Sequence, residues 1–312
     1  KLPEPPGAYP SLVISIDPGL ETPYAHHVTT GVERELPGNI ALATDFMYVR
    51  GFKQVSTLDY NPLVPALGPN RRPADLNGVP GTSASVLQYT SFGQTWYRGL
   101  SIAASRRFAD RHQLLISYTL SKAEDNGTDF QSEFIAQDSG RGRDPNDPEG
   151  LPIGFNPDSE KGPSVQDQRH RFVGSGTYML PKDVELSSIV VIGSGRPYNI
   201  LAGVDLNADG DGGATDRART TLADIGTSVH RNAGTLPLQA TVDLRLARRF
   251  PIRRMSVDGI FEVFNLFNRS NYTAVNNVFG TGSYPSNPVP TFGQFTQAGP
   301  PRQIQLALKI GF

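Results

Sequence analysis

The sequence predicts an all-β protein: an antiparallel transmembrane β-barrel, crossing the membrane with strands and carrying long extracellular loops. Three features predict it. The closing segment, Gln303 to Phe312, places a large apolar residue at nearly every second position and polar or small residues between them. A strand turns successive side chains to opposite faces, so this segment has one greasy face and one wet face. The same alternation recurs along the chain, and the connections between the alternating segments are by turns short and long. Lipid outside, a polar lumen inside, short turns at one end and long loops at the other is the pattern of a membrane barrel.

Composition agrees with this. The 312 residues carry a formal net charge of -1, which gives no bulk attraction to nucleic acid. Mean hydropathy is -0.33, and no stretch approaches the ~20 apolar residues of a transmembrane helix. A barrel strand needs only about 9–11 residues, half of them apolar, so low average hydropathy does not argue against a membrane. There are 32 Gly and 26 Pro for turns and loops, and no Cys, so neither disulfides nor thiolate metal sites are available.

The strands follow in order. Residues 26–35 and 39–50 alternate imperfectly and flank Leu36-Pro37-Gly38-Asn39, a tight turn. Residues 96–108 set Leu100, Ile102 and Ala104 against Ser101, Ala103 and Ser105. After Ala109-Asp110-Arg111, Leu114, Ile116, Tyr118 and Leu120 oppose Gln113, Ser117 and Thr119, with Leu115 as the exception. Residues 170–180 and 184–195 flank Pro181-Lys182-Asp183. Leu236, Leu238, Ala240, Val242, Leu244 and Leu246 then share one face, with Gln239, Thr241, Asp243 and Arg245 on the other. Past Pro251-Ile252-Arg253, Met255, Val257, Phe261 and Val263 oppose Ser256, Asp258 and Glu262. No long segment repeats its apolar residues every 3.6 positions, so helix is a minor element. The long loops fall at about 51–94, 123–168, 196–234 and 267–301. Residues 84–92 look like a further strand, but spanning there would break the alternation of turns and loops, so they are expected in an extracellular hairpin. This leaves about nine spanning strands. Single-chain bacterial barrels have even numbers, so residues 1–312 are expected to form a single domain, the C-terminal part of a larger barrel. The start at Lys1 reads as a cut and Phe312 as a natural end.

Five segments carry a resemblance: TPYAHHVTTGVERELPG from residue 22, LISYTLSKAEDN from 115, DQRHRFVGSGTYMLP from 167, SGRPYNILAGVDLNADGDGGATDR from 194 and FEVFNLFN from 261. As an ordered set they resemble the C-terminal barrel of TonB-dependent outer-membrane receptors, most closely the Oar-like subgroup, whose full-length members carry an N-terminal carboxypeptidase-regulatory-like domain. The resemblance implies a bacterial outer-membrane receptor or transporter that takes up or binds an unidentified large ligand. It implies outer-membrane lipid, the barrel-assembly machinery and the TonB complex as partners. No segment resembles the plug domain or the TonB box, so those parts are expected outside this chain. The alternative is a non-energised surface protein for adhesion or export of extracellular material.

Several groups are candidates for chemistry. Asp205, Asn207, Asp209, Asp211 and Asp216 fit D-x-[DN]-x-[DN]-G with a carboxylate at the twelfth position, a spacing that collects oxygens for Ca²⁺ around the turn at Gly210. The same residues also make an ordinary Asx-rich turn. The 122–167 loop holds eleven Asp and Glu against four Lys and Arg, enough either to concentrate cations at the mouth or simply to solvate the loop. Asp167-Gln168-Arg169-His170-Arg171 reads as an anion site or, more simply, an ion-pair network. His26 and His27 face opposite ways on a strand and cannot readily share a metal. Tyr48, Phe108, Tyr118, Tyr178, Phe250, Phe264 and Phe267 are expected at strand ends, in the aromatic girdles. Asp243, Arg245, Asp258 and Glu262 are expected in the lumen. No nucleophile elbow, zinc-protease or phosphate-loop motif is present, so no catalytic residue is assigned and the chain is not expected to be an enzyme.

Overall fold

The computed structural model describes residues 12–61, 63, 67–109, 111–126, 160–206, 216–221, 228–253 and 255–311. Fifteen strands are present among them: β1 (Leu12–Ile16), β2 (Tyr24–Leu36), β3 (Ile40–Asp59), β4 (Ser85–Ala109), β5 (His112–Asp125), β6 (Gly162–Pro163), β7 (His170–Leu180) and β8 (Val184–Gly193), then β9 (Pro197–Tyr198), β10 (Gly234–Thr235), β11 (Gln239–Ile252), β12 (Met255–Phe264), β13 (Tyr272–Val275), β14 (Phe295–Ala298) and β15 (Gln303–Gly311). Helix is confined, among the described residues, to short 3-10 turns, and no helix is long and apolar enough to cross a membrane.

Nine strands form the wall, in the order β15-β12-β11-β8-β7-β5-β4-β3-β2. Neighbours along this path are antiparallel, and each spanning strand pairs with its nearest spanning neighbours in sequence. The sheet is open, with β2 and β15 at its edges. The number and order of spanning strands agree with the alternation in the sequence.

The register fixes the faces. In β15, Ile304, Leu306, Leu308 and Ile310 are 64%, 77%, 76% and 52% exposed. They lie opposite Val263, Phe261, Gly259 and Val257 of β12, which lie opposite Leu244, Leu246, Arg248 and Phe250 of β11. A continuous face, apolar at every one of these positions but Arg248, therefore runs across the wall. In a soluble protein so much exposed Leu, Ile and Val would aggregate; on a barrel it is the surface that lipid wets.

The hairpin turns are tight. Leu36 pairs with Ile40 across a turn in which Gly38 and Asn39 take positive φ, 86° and 59°. This is the left-handed region that Gly and Asn enter most readily. Ala109 pairs with His112, and Ile252 with Met255. Pro251 is therefore the penultimate residue of β11 and not a turn residue; the last hairpin turns one step later than its Pro suggested.

The outer ends differ more from expectation. Residues 51–59 and 85–94 are not loop. They continue β3 and β4, register-paired across a bulged stretch near Lys53. The strand expected at 84–92 is thus the outer part of β4, and β1 pairs with it in parallel. Bulges let a long hairpin bend and twist where a flat one could not continue. Because β3, β4 and β5 run on beyond the membrane, Tyr48 and Tyr118 lie inside strands and not at their ends. Tyr178, Phe250 and Phe264 do lie near strand ends; Phe108 is a β4 residue whose side chain is outside the described set, and Phe267 is a loop residue, 73% exposed.

Candidate functional site: the extracellular mouth

Above the wall the long connections fold on one another. Ile200, Ala218, Val229 and Phe279 are buried together, with Tyr198, Tyr284 and Phe292 against them. Phe279 sits edge-on to Tyr284 and to Phe292, both at 5.2 Å between centroids, a favoured aromatic geometry. Backbone bonds knit the segments: Ala218 N–H donates to Ile200 O at 2.9 Å, Phe279 N–H to Leu201 O at 2.7 Å and Tyr284 N–H to Arg219 O at 2.8 Å. The cap thus joins the β8–β11 and β12–β15 connections around one small core.

A buried polar layer ties this cap to the β5–β7 connection. Arg217 donates two bonds to Glu160, at 2.7 and 2.8 Å, and both side chains are only 4–5% exposed. Arg231 ion-pairs with Asp125 at the outer end of β5 and donates to the carbonyl oxygens of Asp125 and Glu160 at 2.7 and 3.0 Å. Burial pulls the Arg231 guanidinium down to about 10, so it is still charged at neutral pH. Asn232 adds bonds to Asn199 and Pro163 at 2.7 and 2.8 Å. Arginine suits such a site because its planar fork satisfies a carboxylate and two carbonyls at once.

Beneath the cap, the face of the wall opposite the apolar one is polar. Asp243, Arg245, Asp258 and Glu262 all lie on it, alternating with Leu244, Val257, Phe261 and Val263. They form a cross-strand ladder. Arg245 pairs with Glu185 at 2.9 Å and Glu262 at 3.3 Å, Arg249 pairs with Asp258 at 2.8 Å, and Lys309 lies opposite Asp258. Asp243 accepts the Asn265 N–H at 2.8 Å, fixing the turn at the top of β12.

The other sequence candidates resolve as follows. Asp167 accepts the Ala123 N–H at 2.7 Å and pairs with Arg169 at 3.4 Å, Arg171 donates to Gln168 at 3.2 Å, and His170 Nδ1 lies 2.7 Å from the Tyr118 hydroxyl. This is the ion-pair and hydrogen-bond network, bracing the loop's entry into β7. His26 packs with Tyr24 and Phe52 on the apolar face, while His27 lies on the opposite face. Among the described residues no cluster of three or more His, Cys, Asp or Glu is placed to hold a metal. Of the Ca²⁺ candidates, Asp205 and Asp216 are described, and Asn207, Asp209 and Asp211 lie outside the described residues. The Asp216 carboxylate accepts the Leu206 N–H, which brings the two ends of that segment together. Most of the acidic loop, 127–159, and the terminal Phe312 also lie outside the described residues. The cap core and the Glu160–Arg217 pair gave no periodic signal, because their members come from separate loops.

An antiparallel wall with an apolar face, a polar face and a folded cap on its long loops is the architecture of an outer-membrane β-barrel. The chain matches the family described as the outer membrane beta barrel domain over residues 3–228 and 218–305, and it belongs to that family. It is a protein of the bacterial outer membrane. No curated protein sequence matches it. Among solved structures, it superposes on the outer membrane transporter YddB from Escherichia coli with a TM-score of 0.55 at 12% identity, covering 93% of this chain and 33% of that one. It superposes on the FrpB iron transporter from Neisseria meningitidis with a TM-score of 0.51 at 14% identity, covering 95% of this chain and 32% of that one. At such identities the likeness is one of fold. The chain spans about a third of the length of these transporters.

Proposed function

We propose that residues 1–312 are wall and mouth of a TonB-dependent receptor of the Oar-like type, which captures a large extracellular ligand and passes it through the barrel. The observation that carries this reading is the cap. Three long connections are locked together by a small core and by buried ion pairs, above a polar wall. Holding loops rigid lowers the ordering cost of capture; an anchor that only tethers loops needs no such frame. The open edges at β2 and β15 support a wall completed by further strands, because unpaired edges invite aggregation. The fold likeness to outer-membrane transporters, one of them an iron transporter, supports uptake over adhesion. On this reading the plug and the TonB-contacting segment belong to the rest of the protein.

The test is binding of the purified periplasmic domain of TonB to the full-length protein in detergent. Saturable binding, lost on deletion of the N-terminal segment that precedes the plug, is the expected result. Absence of binding, with normal surface attachment of cells, would overturn transport in favour of adhesion.

The segment from Asp205 to Asp216 is proposed as a Ca²⁺ loop at this mouth. The spacing of its carboxylates supports it, as does the Asp216–Leu206 bond that closes its ends. Titration calorimetry of the folded barrel with millimolar Ca²⁺ should show heat that D209N removes. No heat in the wild type ends the proposal.

A further inference from the structure

The lipid-facing side of the wall is not evenly greasy. Among the described residues, two of its depressions are built in the same way. The first is a groove of about 490 Å³ crossing β5, β7 and β8. Its floor is Gly174 and Gly176, and Leu114, Ile116, Leu186 and Val190 wall it. At its short-turn end stand His112 and Tyr178, which pair in register and stack at 6.1 Å between ring centroids. The Arg106 guanidinium reaches the His112 ring. The second groove, of about 730 Å³, crosses β11, β12 and β15. Its floor is Gly259, and Leu246, Phe261, Leu306 and Leu308 wall it. At its short-turn end the Arg248 guanidinium lies 4.8 Å from the centre of the Phe250 ring.

None of the three floor glycines takes positive φ. Gly176 is held by its neighbours, since a Cβ there would lie 3.2 Å from the Gln113 carbonyl oxygen, but Gly174 and Gly259 are not. A Cβ at Gly259 would meet only Phe250, at 3.7 Å, and one at Gly174 only the Phe172 ring, at 3.4 Å. At Gly174 and Gly259 a side chain therefore fits, and a strand interior is weakened by its absence. Glycine inside a strand marks places where something else approaches the backbone closely. On the face turned to lipid, the Phe172 and Phe250 rings take one side of Gly174 and Gly259, and the rest of each groove has room for hydrocarbon.

We propose that each groove seats one phospholipid of the periplasmic leaflet. An acyl chain lies over the glycine floor, and the headgroup phosphate meets Arg106 and His112 in the first groove and Arg248 in the second. The charge placement selects this occupant. Short turns face the periplasm, so the cations stand at headgroup depth while each groove runs up into the apolar band. An arginine there keeps its charge at the interface and lays its stem along the wall. A lipopolysaccharide occupies the opposite leaflet. A protein partner would need one continuous patch and not two separate grooves of like design. The proposal does not depend on the barrel's being a transporter.

The experiment is native mass spectrometry of the full-length protein released from mild detergent after incubation with dioleoyl-phosphatidylglycerol. Heat-modifiable electrophoretic mobility serves as the check that each variant is folded. Wild type should retain phospholipid through mild detergent. G174L and G259L, which fill the grooves with apolar side chains, should each retain one phospholipid fewer than wild type and remain folded. R106Q and R248Q should raise the lipid concentration needed to load their own groove about five-fold, the effect of one cation near an anionic surface. Equal retention by wild type and both filled variants would overturn the proposal. So would loading by lipopolysaccharide in place of the phospholipid. If a leucine variant fails to fold, the arginine variants decide, since each leaves the wall intact.

Discussion

The wall and the cap solve opposite problems with the same chain. In the wall, apolar side chains such as Leu306 and Leu308 are turned outward, and charges such as Arg245 and Glu262 lie on the other face. In the cap, Phe279 is 1% exposed and Ala218 is fully buried, as in a water-soluble domain. The ion pairs differ in the same sense. Arg245 and Glu185 are more than a third exposed, whereas Arg217 and Glu160 are almost wholly out of solvent. Solvent thus decides what a given contact is worth. An exposed pair contributes about 0.2–1 kcal/mol, while breaking a buried one strands a charge at about 3–5 kcal/mol.

That contrast can be broken most sharply in the cap. Arg217→Ala should cost the cap about 3–5 kcal/mol by leaving Glu160 buried without its fork. Hydrogen exchange at the Ala218 and Val229 amides should accelerate, while the barrel keeps its heat-modifiable mobility. Unchanged exchange would mean that the cap does not depend on this pair. Phe279→Ala should act on the same amides by opening a cavity, at about 3–5 kcal/mol. Equal loss of wall and cap in either variant would show that the two are one cooperative unit.

The wall offers the next largest effect. Leu246 lies on the apolar face between Phe250, near the turn end, and Phe261 of the neighbouring strand. Leu246→Arg puts a cation one pleat deeper in the apolar band than Arg248 and should destabilise the barrel by about 2 kcal/mol, between the interface and midplane costs. Arg245→Leu, one residue away on the polar face, should change stability by no more than about 1 kcal/mol. Urea unfolding of the two variants in lipid vesicles gives the comparison. If arginine at 246 unfolds at the wild-type urea concentration, the assignment of faces is wrong.

The smallest effect is a pH response in the β3–β4 connection. Burial alone would raise the Asp75 carboxyl, but bonds from the Arg72 N–H at 2.8 Å, from the Ser83 hydroxyl and N–H at 2.7 and 3.0 Å, and from Thr82 outweigh it and hold the carboxyl below its ordinary value. A lowered carboxyl contributes stability that is present above the unfolded-state value of 3.8 and is lost as pH falls through the lower folded value. Proteolysis of this connection should therefore be constant from neutral pH down to about 4 and increase only below it. In Asp75→Asn that increase should be absent. A change already present near pH 6 would point to another group.

Much of the wall was legible because its physics is local. Alternation at period two assigns each residue from Gln303 to Gly311 to a face, and the same reading placed Asp243, Arg245, Asp258 and Glu262 together on the polar side. Tight turns such as Leu36 to Ile40 carry their own signal in Pro, Gly and Asn. Strand length was less legible. Residues 51–59 and 85–94 look loop-like because polar and small residues such as Gln54, Ser56, Thr90 and Gly93 replace the apolar alternation while the ladder continues.

By itself, then, the sequence determined which side of the wall meets lipid, where the chain reverses to within a residue or so, and how many strands span, because neighbouring residues along a strand decide each of these. The cap was decided only by tertiary structure. Glu160 and Arg217 meet across 57 positions, and Ile200, Val229 and Phe279 come from irregular segments with no period to read. The grooves on the lipid face are tertiary too. Gly174 is a small residue in a sequence; it becomes part of a floor only when Ile116 and Val190 stand on either side of it.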